Sequence, residues 1–135
     1  MFLQPKKFKF KKVQKGTSSK IQYKSTKLKF GLIGLKANQS GRITSKQLEA
    51  ARQAIVRKIK RKGKLWINVF PNIPVTKKPT ETRMGKGKGN VDYWVVKIKI
   101  GTILFELDGI KSNKAKTAFK TGKAKLPIKT VVIEN

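Results

Sequence analysis

The sequence predicts an α+β domain with an extended, cationic N-terminal arm, on the strength of three observations. A well-signalled helix and several strand-like apolar blocks share the chain without regular β-α-β alternation, the pattern of an α+β fold. Apolar residues make up 38% of the chain, enough for a packed core and too many for full disorder. Ahead of that core, residues 1–29 hold ten lysines and no acid, and the first carboxylate of the chain is Glu49. Thr17, Ser18, Ser19, Ser25 and Thr26 punctuate this segment, with Gly16 as a breaker. Such a stretch buries too little surface to offset the entropy of ordering it, so it reads as an arm ordered by its partner. The expected organisation is therefore an arm over residues 1–29 and a single globular domain over 30–135.

Residues 30–37 alternate apolar side chains with glycines and predict a strand, closed by the turn cluster Asn38-Gln39-Ser40-Gly41. Thr44 and Gln47 have the spacing of a capping box, and Leu48, Ala51, Ile55 and Ile59 then recur at helical period. That helix is expected to close near Lys62, with Gly63 as its left-handed cap. Residues 65–70 predict a strand ended by Pro71, and Pro71, Pro74 and Pro79 predict a stiff, non-helical connection. After a loop rich in Gly and Lys, residues 91–100 and 102–107 read as two paired strands turning at Gly101. Ser112 is expected to cap a second helix reaching about Lys123, with Ala115, Ala118 and Phe119 as its apolar stripe. Leu126-Pro127 breaks that helix, and residues 128–133 form a last strand.

Charge decides the class of partner. Lys and Arg number 34 against 6 acids, a net charge of +28. Self-repulsion at that density weakens a compact state unless a polyanion neutralises it. Nucleic acid is such a polyanion, and it releases condensed counterions when lysines and arginines replace them. Of the cations, 29 are Lys and 5 are Arg. Arginine is the better bidentate phosphate ligand, so the bias points to an A/T-rich genome rather than to the binding chemistry.

The absent residue types exclude chemistry. Without Cys there is neither a disulfide framework nor a thiolate metal site. Without His the usual general base and the commonest transition-metal ligand are missing. No apolar run approaches the roughly 20 residues needed to span a bilayer, and the first helix lacks the bulky apolar face of a membrane-surface helix. The N-terminus, where Phe2, Phe8 and Phe10 interleave with lysines, lacks the h-region of a secretory signal. Glu106 and Asp108 share a strand face but have no third carboxylate nearby, so they read as charge neutralisation or turn residues rather than a metal pair. No Ser or Lys has an activating partner, and no enzyme is expected.

The loop Arg83-Met84-Gly85-Lys86-Gly87-Lys88-Gly89-Asn90 is the clearest candidate site. Glycine at every second position lets the backbone approach another molecule closely, and the intervening lysines put charge at that approach. It fits neither G-x-x-x-x-G-K-[ST] nor G-x-G-x-x-G, so it reads as a phosphate-backbone contact loop, against a plain exposed hairpin tip. Further phosphate-contact candidates are Lys6, Lys7, Lys9, Lys11 and Lys12 in the arm, with Arg42, Arg52, Arg57, Lys60, Arg61 and Lys64 on and around the first helix. Trp66 and Trp94, inside strand patterns, read as core, with base stacking as the other reading. Phe8 and Phe10 lack apolar neighbours in sequence and are expected to wedge against bases or a neighbouring protein.

These blocks resemble a known family. Leu3-Gln4-Pro5-Lys6, Ile43-Thr44-Ser45-Lys46-Gln47-Leu48-Glu49-Ala50-Ala51-Arg52 and Gly63-Lys64-Leu65-Trp66-Ile67-Asn68-Val69-Phe70-Pro71 are similar to the bacterial-type large-subunit ribosomal protein L-sixteen. The loop continued through Val91-Asp92-Tyr93-Trp94-Val95, and Ala124-Lys125-Leu126-Pro127-Ile128-Lys129-Thr130, carry the same resemblance in the same order. It is weaker at residues 17–28, which lack an Arg/Gly pattern, and at residues 111–123, which lack an acidic helix start.

The resemblance implies a hammerhead-type mixed sheet with two helices and a place on large-subunit ribosomal RNA beside neighbouring ribosomal proteins. It also implies a loop directed at the aminoacyl-site tRNA and the peptidyl-transferase region. No cofactor, membrane or small-molecule substrate is implied. Lysine bias, missing His and the absence of a presequence pattern suggest a mitochondrial copy, with plastid or bacterial cytoplasm as alternatives. The rival function is a DNA-compacting architectural protein that binds nucleic acid by charge alone.

Overall fold

A computed structural model describes residues 3–17, 21–23 and 26–135; Phe2, Ser18, Ser19 and Ser25 lie outside the described residues. Strand β1 (Ile33–Ala37) follows the arm, and a short strand β2 (Gly41–Thr44) leads directly into helix α1 (Ser45–Lys58). Strands β3 (Lys64–Ile67), β4 (Ile73–Lys77), β5 (Asn90–Ile98) and β6 (Ile103–Asp108) come next, then helix α2 (Ser112–Lys123) and strand β7 (Thr130–Glu134). The strands divide between two sheets, β3-β6-β1-β7 and β2-β5-β4. Every strand pair in both is antiparallel, and the expected α+β class with two helices is found, its strands arranged as two antiparallel sheets. One hydrophobic core joins them: Leu48, Ala51 and Ile55 of α1 and Ala115, Ala118 and Phe119 of α2 meet Ile33, Leu35, Phe105 and Leu107 of one sheet and Ile43, Val96 and Ile98 of the other. Gly122 lets the helices close on each other, because a Cβ there would stand 2.6 Å from Ile55 Cγ1.

Local rules account for the start of α1. Thr44 accepts from the Gln47 amide at 3.2 Å while the Gln47 side chain accepts from the Thr44 amide at 3.0 Å, the expected capping box. The end of α1 departs from expectation. The helix stops at Lys58, and its last carbonyls are closed by the Lys60 amide on Arg57 O and the Arg61 amide on Val56 O, both at 3.1 Å. Those two bonds are the pair of a Schellman motif, which makes Lys60 the left-handed residue at φ 53 and moves Gly63 (φ 75) into the following turn. A side chain at that position costs about 1–2 kcal/mol relative to glycine. At α2 the expected bounds are met, but Ser112 is the first helical residue rather than the cap, and its hydroxyl donates to Glu134 instead.

Three strand expectations are corrected by pairing. β5 and β6 do not form a hairpin: β5 lies between β2 and β4, β6 between β3 and β1, and Gly101 (φ 92) carries the chain from one sheet to the other. The proline-marked connection contains strand β4, which tolerates Pro74 because it is an edge strand and a missing N–H need not break a second ladder. The turn cluster at 38–41 ends in β2, a strand too short for period-2 patterning to reveal.

Thr44→Ala removes the reciprocal cap and is expected to destabilise the fold by about 1 kcal/mol, read from urea unfolding with an unchanged m-value.

Candidate nucleic-acid interface

The arm lies on the domain at defined points along both sheets. Phe8 packs edge-on against Trp94 of β5, with ring centroids 5.1 Å apart. Lys12 donates through Nζ to Lys88 O at 2.7 Å, and Lys88 Nζ returns a bond to Val13 O at 2.5 Å. Arg42 of β2 donates to Lys15 O and Gly16 O at 3.0 and 2.6 Å. The arm then bridges Ile21 to Ile100, and the Gln22 amide donates to Ile100 O at 2.8 Å. Leu28 sits over Gly34 of β1, at a spot where a Cβ would collide with it. Phe30 stacks on Trp66 of β3 at 6.1 Å.

A buried carboxylate anchors the end of that path. Glu106 of β6 is 0% exposed, and Oε2 accepts from the amides of Lys29, Phe30 and Gly31 at 3.0, 2.6 and 2.9 Å. The Asn68 side-chain amide donates to the other oxygen. Burial pushes this carboxyl up, but the Gly31 and Phe30 amides, the Asn68 side chain and the Lys29 amide outweigh it and hold the group below the ordinary glutamate value. Glycine at 31 is required here, since a Cβ would stand 2.7 Å from Leu107 O.

The loop stands off the sheet as the connection between β4 and β5, which pair as far as Lys77 and Asn90. Its backbone turns through three successive left-handed residues, Gly85 (φ 98), Lys86 (φ 53) and Gly87 (φ 82). A Cβ on Gly85 or Gly87 would meet nothing within 4 Å, and Met84 is 94% exposed, so the tip is open. Lys78 Nζ braces it from below through Gly85 O at 2.5 Å.

The candidate residues fall into two groups. Lys6, Lys7, Lys9, Lys11 and Lys12 are exposed on the arm beside the exposed residues 83–88, joined to them through the Lys12–Lys88 exchange. Lys9 lies 5.7 Å from the Phe10 ring, and Phe10 stays exposed. Arg42 belongs to this group as the tether of the arm. Arg57, Lys60 and Arg61 are exposed at the far end of α1, roughly 20 Å along its axis from Thr44 at 1.5 Å per residue. Arg52 is held by both Glu49 oxygens, at 2.9 and 2.7 Å. That hydrogen-bonded pairing is the main reason the Glu49 carboxyl is lowered. Lys64 lies 5.1 Å from the centre of the Trp66 ring.

Of the two tryptophans, Trp94 is buried and Trp66 is half-buried under Phe30. Phe8, which has no apolar neighbour in the local sequence, finds one in Trp94 of β5, a pairing that a contiguous sequence pattern cannot show. Sequence reasoning also missed Lys78, which lies in the proline-marked stretch and carries no local signal for bracing the loop. Among the described residues no helix is long and apolar enough to cross a membrane.

A family model, ribosomal protein L16p/L10e, matches residues 5–133, nearly the whole path from the arm to β7. The chain belongs to this family. The large ribosomal subunit protein uL16 of Acinetobacter baylyi is 52% identical over 131 residues, 97% of this chain and 96% of its own length. That of Wigglesworthia glossinidia brevipalpis is 55% identical over 131 residues, with 97% and 96% covered. That of Bartonella henselae is 54% identical over 132 residues, with 98% and 96% covered. These relatives are ribosomal proteins, not enzymes, and a DNA-compacting role finds no support among them. In this L16p/L10e chain, arm and loop form one cationic surface on the two-sheet body.

The lowered Glu106 carboxyl gives a pH dependence of definite sign. Its contribution to stability is complete above the ordinary glutamate pKa and is lost as pH falls through the lowered folded-state value. Glu106→Gln is expected to cost about 1–3 kcal/mol at neutral pH and to flatten the acid side of the stability profile. Chemical unfolding at a series of pH values checks both, and an unchanged acid slope would contradict the account.

Proposed function

We propose that this chain is a structural constituent of the large ribosomal subunit. In this reading its arm, residues 1–29, and its single globular domain, residues 30–135, bind large-subunit ribosomal RNA, and the loop at 83–90 helps position the aminoacyl-site tRNA. The observation that carries the reading is the interlock of Lys12, Val13 and Lys88, which fuses arm and loop into one exposed cationic surface. Lysines on such a surface neutralise phosphates and fix orientation without reading sequence. Selectivity for ribosomal RNA then comes from the shape of irregular, unpaired regions.

The relatives are named as large-subunit proteins, and the resemblance supplies the expectation that the loop points to the peptidyl-transferase region. Peptide-bond chemistry in this reading is left to RNA, since the loop offers positioning groups and no acid–base pair. Neighbouring ribosomal proteins are further partners, and Phe10, exposed beside Lys9, is a contact for either RNA or protein. The ribosome is the expected location. Lysine bias favours a mitochondrial ribosome and the bacterial relatives favour a bacterial cytoplasm.

Sedimentation of a native lysate tests the proposal: co-migration with large subunits at moderate salt supports it, and recovery only in light or DNA-bound fractions refutes it. With about eight phosphates contacted, affinity for ribosomal RNA is expected to fall ~10³–10⁵-fold between about 50 and 200 mM salt. A flat salt response in a filter-binding titration contradicts electrostatic clamping.

A further inference from the structure

Away from arm and loop, the end of α1 and the start of α2 enclose an open cleft of about 670 Å³. Ile59 and Ile110 supply its apolar lining, and five lysines surround it: Lys58, Lys60, Lys62, Lys111 and Lys114. Ile59 is buried and Ile110 half-buried, while all five lysines are exposed. The two salt bridges found among the described residues, Arg52–Glu49 and Lys116–Glu134, involve none of them. Five ammonium groups around one cleft repel each other, and no carboxylate stands among the residues that line it, the nearest in sequence, Asp108, being bonded to the Gly109 amide. The backbone points the same way. Lys60 occupies the left-handed Schellman position where glycine is the ordinary residue, so the chain keeps a cation there against local strain.

We infer that this cleft is a second RNA site, one that takes an unstacked nucleotide with its base against Ile59 and Ile110 and its flanking phosphates on the lysines. The inference rests on the RNA-binding reading above and adds a contact region to it. Bulged and looped nucleotides are the parts of RNA whose bases splay out to pack on side chains. A splayed nucleotide places a phosphate on each side of a flat base whose face can pack on apolar side chains, matching lysines arranged around an apolar lining. An acidic peptide is the rival occupant of such a cleft, and the crosslinking outcome below separates the two.

The test titrates full-length chain into protein-free large-subunit ribosomal RNA over a range of salt. A cleft variant carries Lys58→Gln, Lys62→Gln and Lys114→Gln; a control variant carries Lys120→Gln, Lys123→Gln and Lys125→Gln farther along the chain. The cleft variant is expected to make the slope of log affinity against log salt shallower by about two, at roughly 0.7 per single-strand phosphate, and the control to leave it near the parent value. Equal loss from both variants, or none from the cleft variant, overturns the site while leaving the parent's RNA binding intact. A parent chain whose binding ignores salt refutes the RNA-binding reading itself. Lys60→Gly separates binding from folding: it is expected to melt no lower than the parent and yet bind RNA more weakly, and unchanged binding counts against the site. In assembled particles a photoreactive side chain in place of Asn113 is expected to crosslink to RNA; crosslinks to protein alone overturn the assignment.

Discussion

The buried carboxylate of Glu106 sets the relation between the arm and everything beneath it. β6 is flanked on both sides, by β3 and β1, so its side chains face either the helices or the arm, and water reaches neither Phe105 nor Glu106. A charge in that position is costly unless most of its lone pairs are used. Three successive backbone amides and the Asn68 side chain use them, and those amides can converge only if residues 29–31 lie close over the sheet. Gly31 is what permits that approach. The end of the arm is thereby fixed on the body, and the stacking of Phe30 on Trp66 follows in the same few residues.

The few acids of the chain serve its own geometry. Glu49 holds Arg52, Glu106 holds residues 29–31, Asp108 accepts from the Gly109 amide at 2.7 Å, and Glu134 joins the start of α2 through Ser112 and Lys116. Four of the six carboxylates are spent this way, which leaves most of the 34 cations facing outward without internal neutralisation. The result is a folded core under a surface that needs a polyanion. Apolar burial and electrostatic demand are separated in space, and that separation lets a chain of net charge +28 both fold and bind.

Backbone strain falls where the surface carries exposed lysines. Left-handed residues without glycine occur at Lys60, Arg61 and Lys86, at the end of α1 and at the loop tip, and both places present lysines. Among the described residues the other positive-φ positions are glycines, as at Gly101 between the two sheets. Lys12, Lys78 and Lys88 then spend their ammonium groups on backbone carbonyls, so the arm and loop hold a shape before any partner arrives.

Local rules were legible in the sequence. Thr44 and Gln47 announced the capping box, Leu48, Ala51 and Ile55 the buried stripe, and residues 112–123 the second helix, because each is a short-range pattern of hydrogen bonding or periodicity. The cationic arm and loop were equally visible as composition, and the family resemblance through blocks of contiguous residues. Pairing was not. Whether β5 turns back on β6 or joins β2 and β4 depends on which edges other strands have already filled, and no local signal encodes that. Nor could the sequence show that Lys12 meets Lys88, that Phe8 meets Trp94, or that Glu106 receives the backbone of residues 29–31. Those contacts join positions 75 to 86 residues apart, across separations where only the packed chain decides what becomes neighbour to what. The sequence by itself determined that this protein would seek a polyanion with an arm and a loop; the tertiary structure alone decided that the two would form one surface.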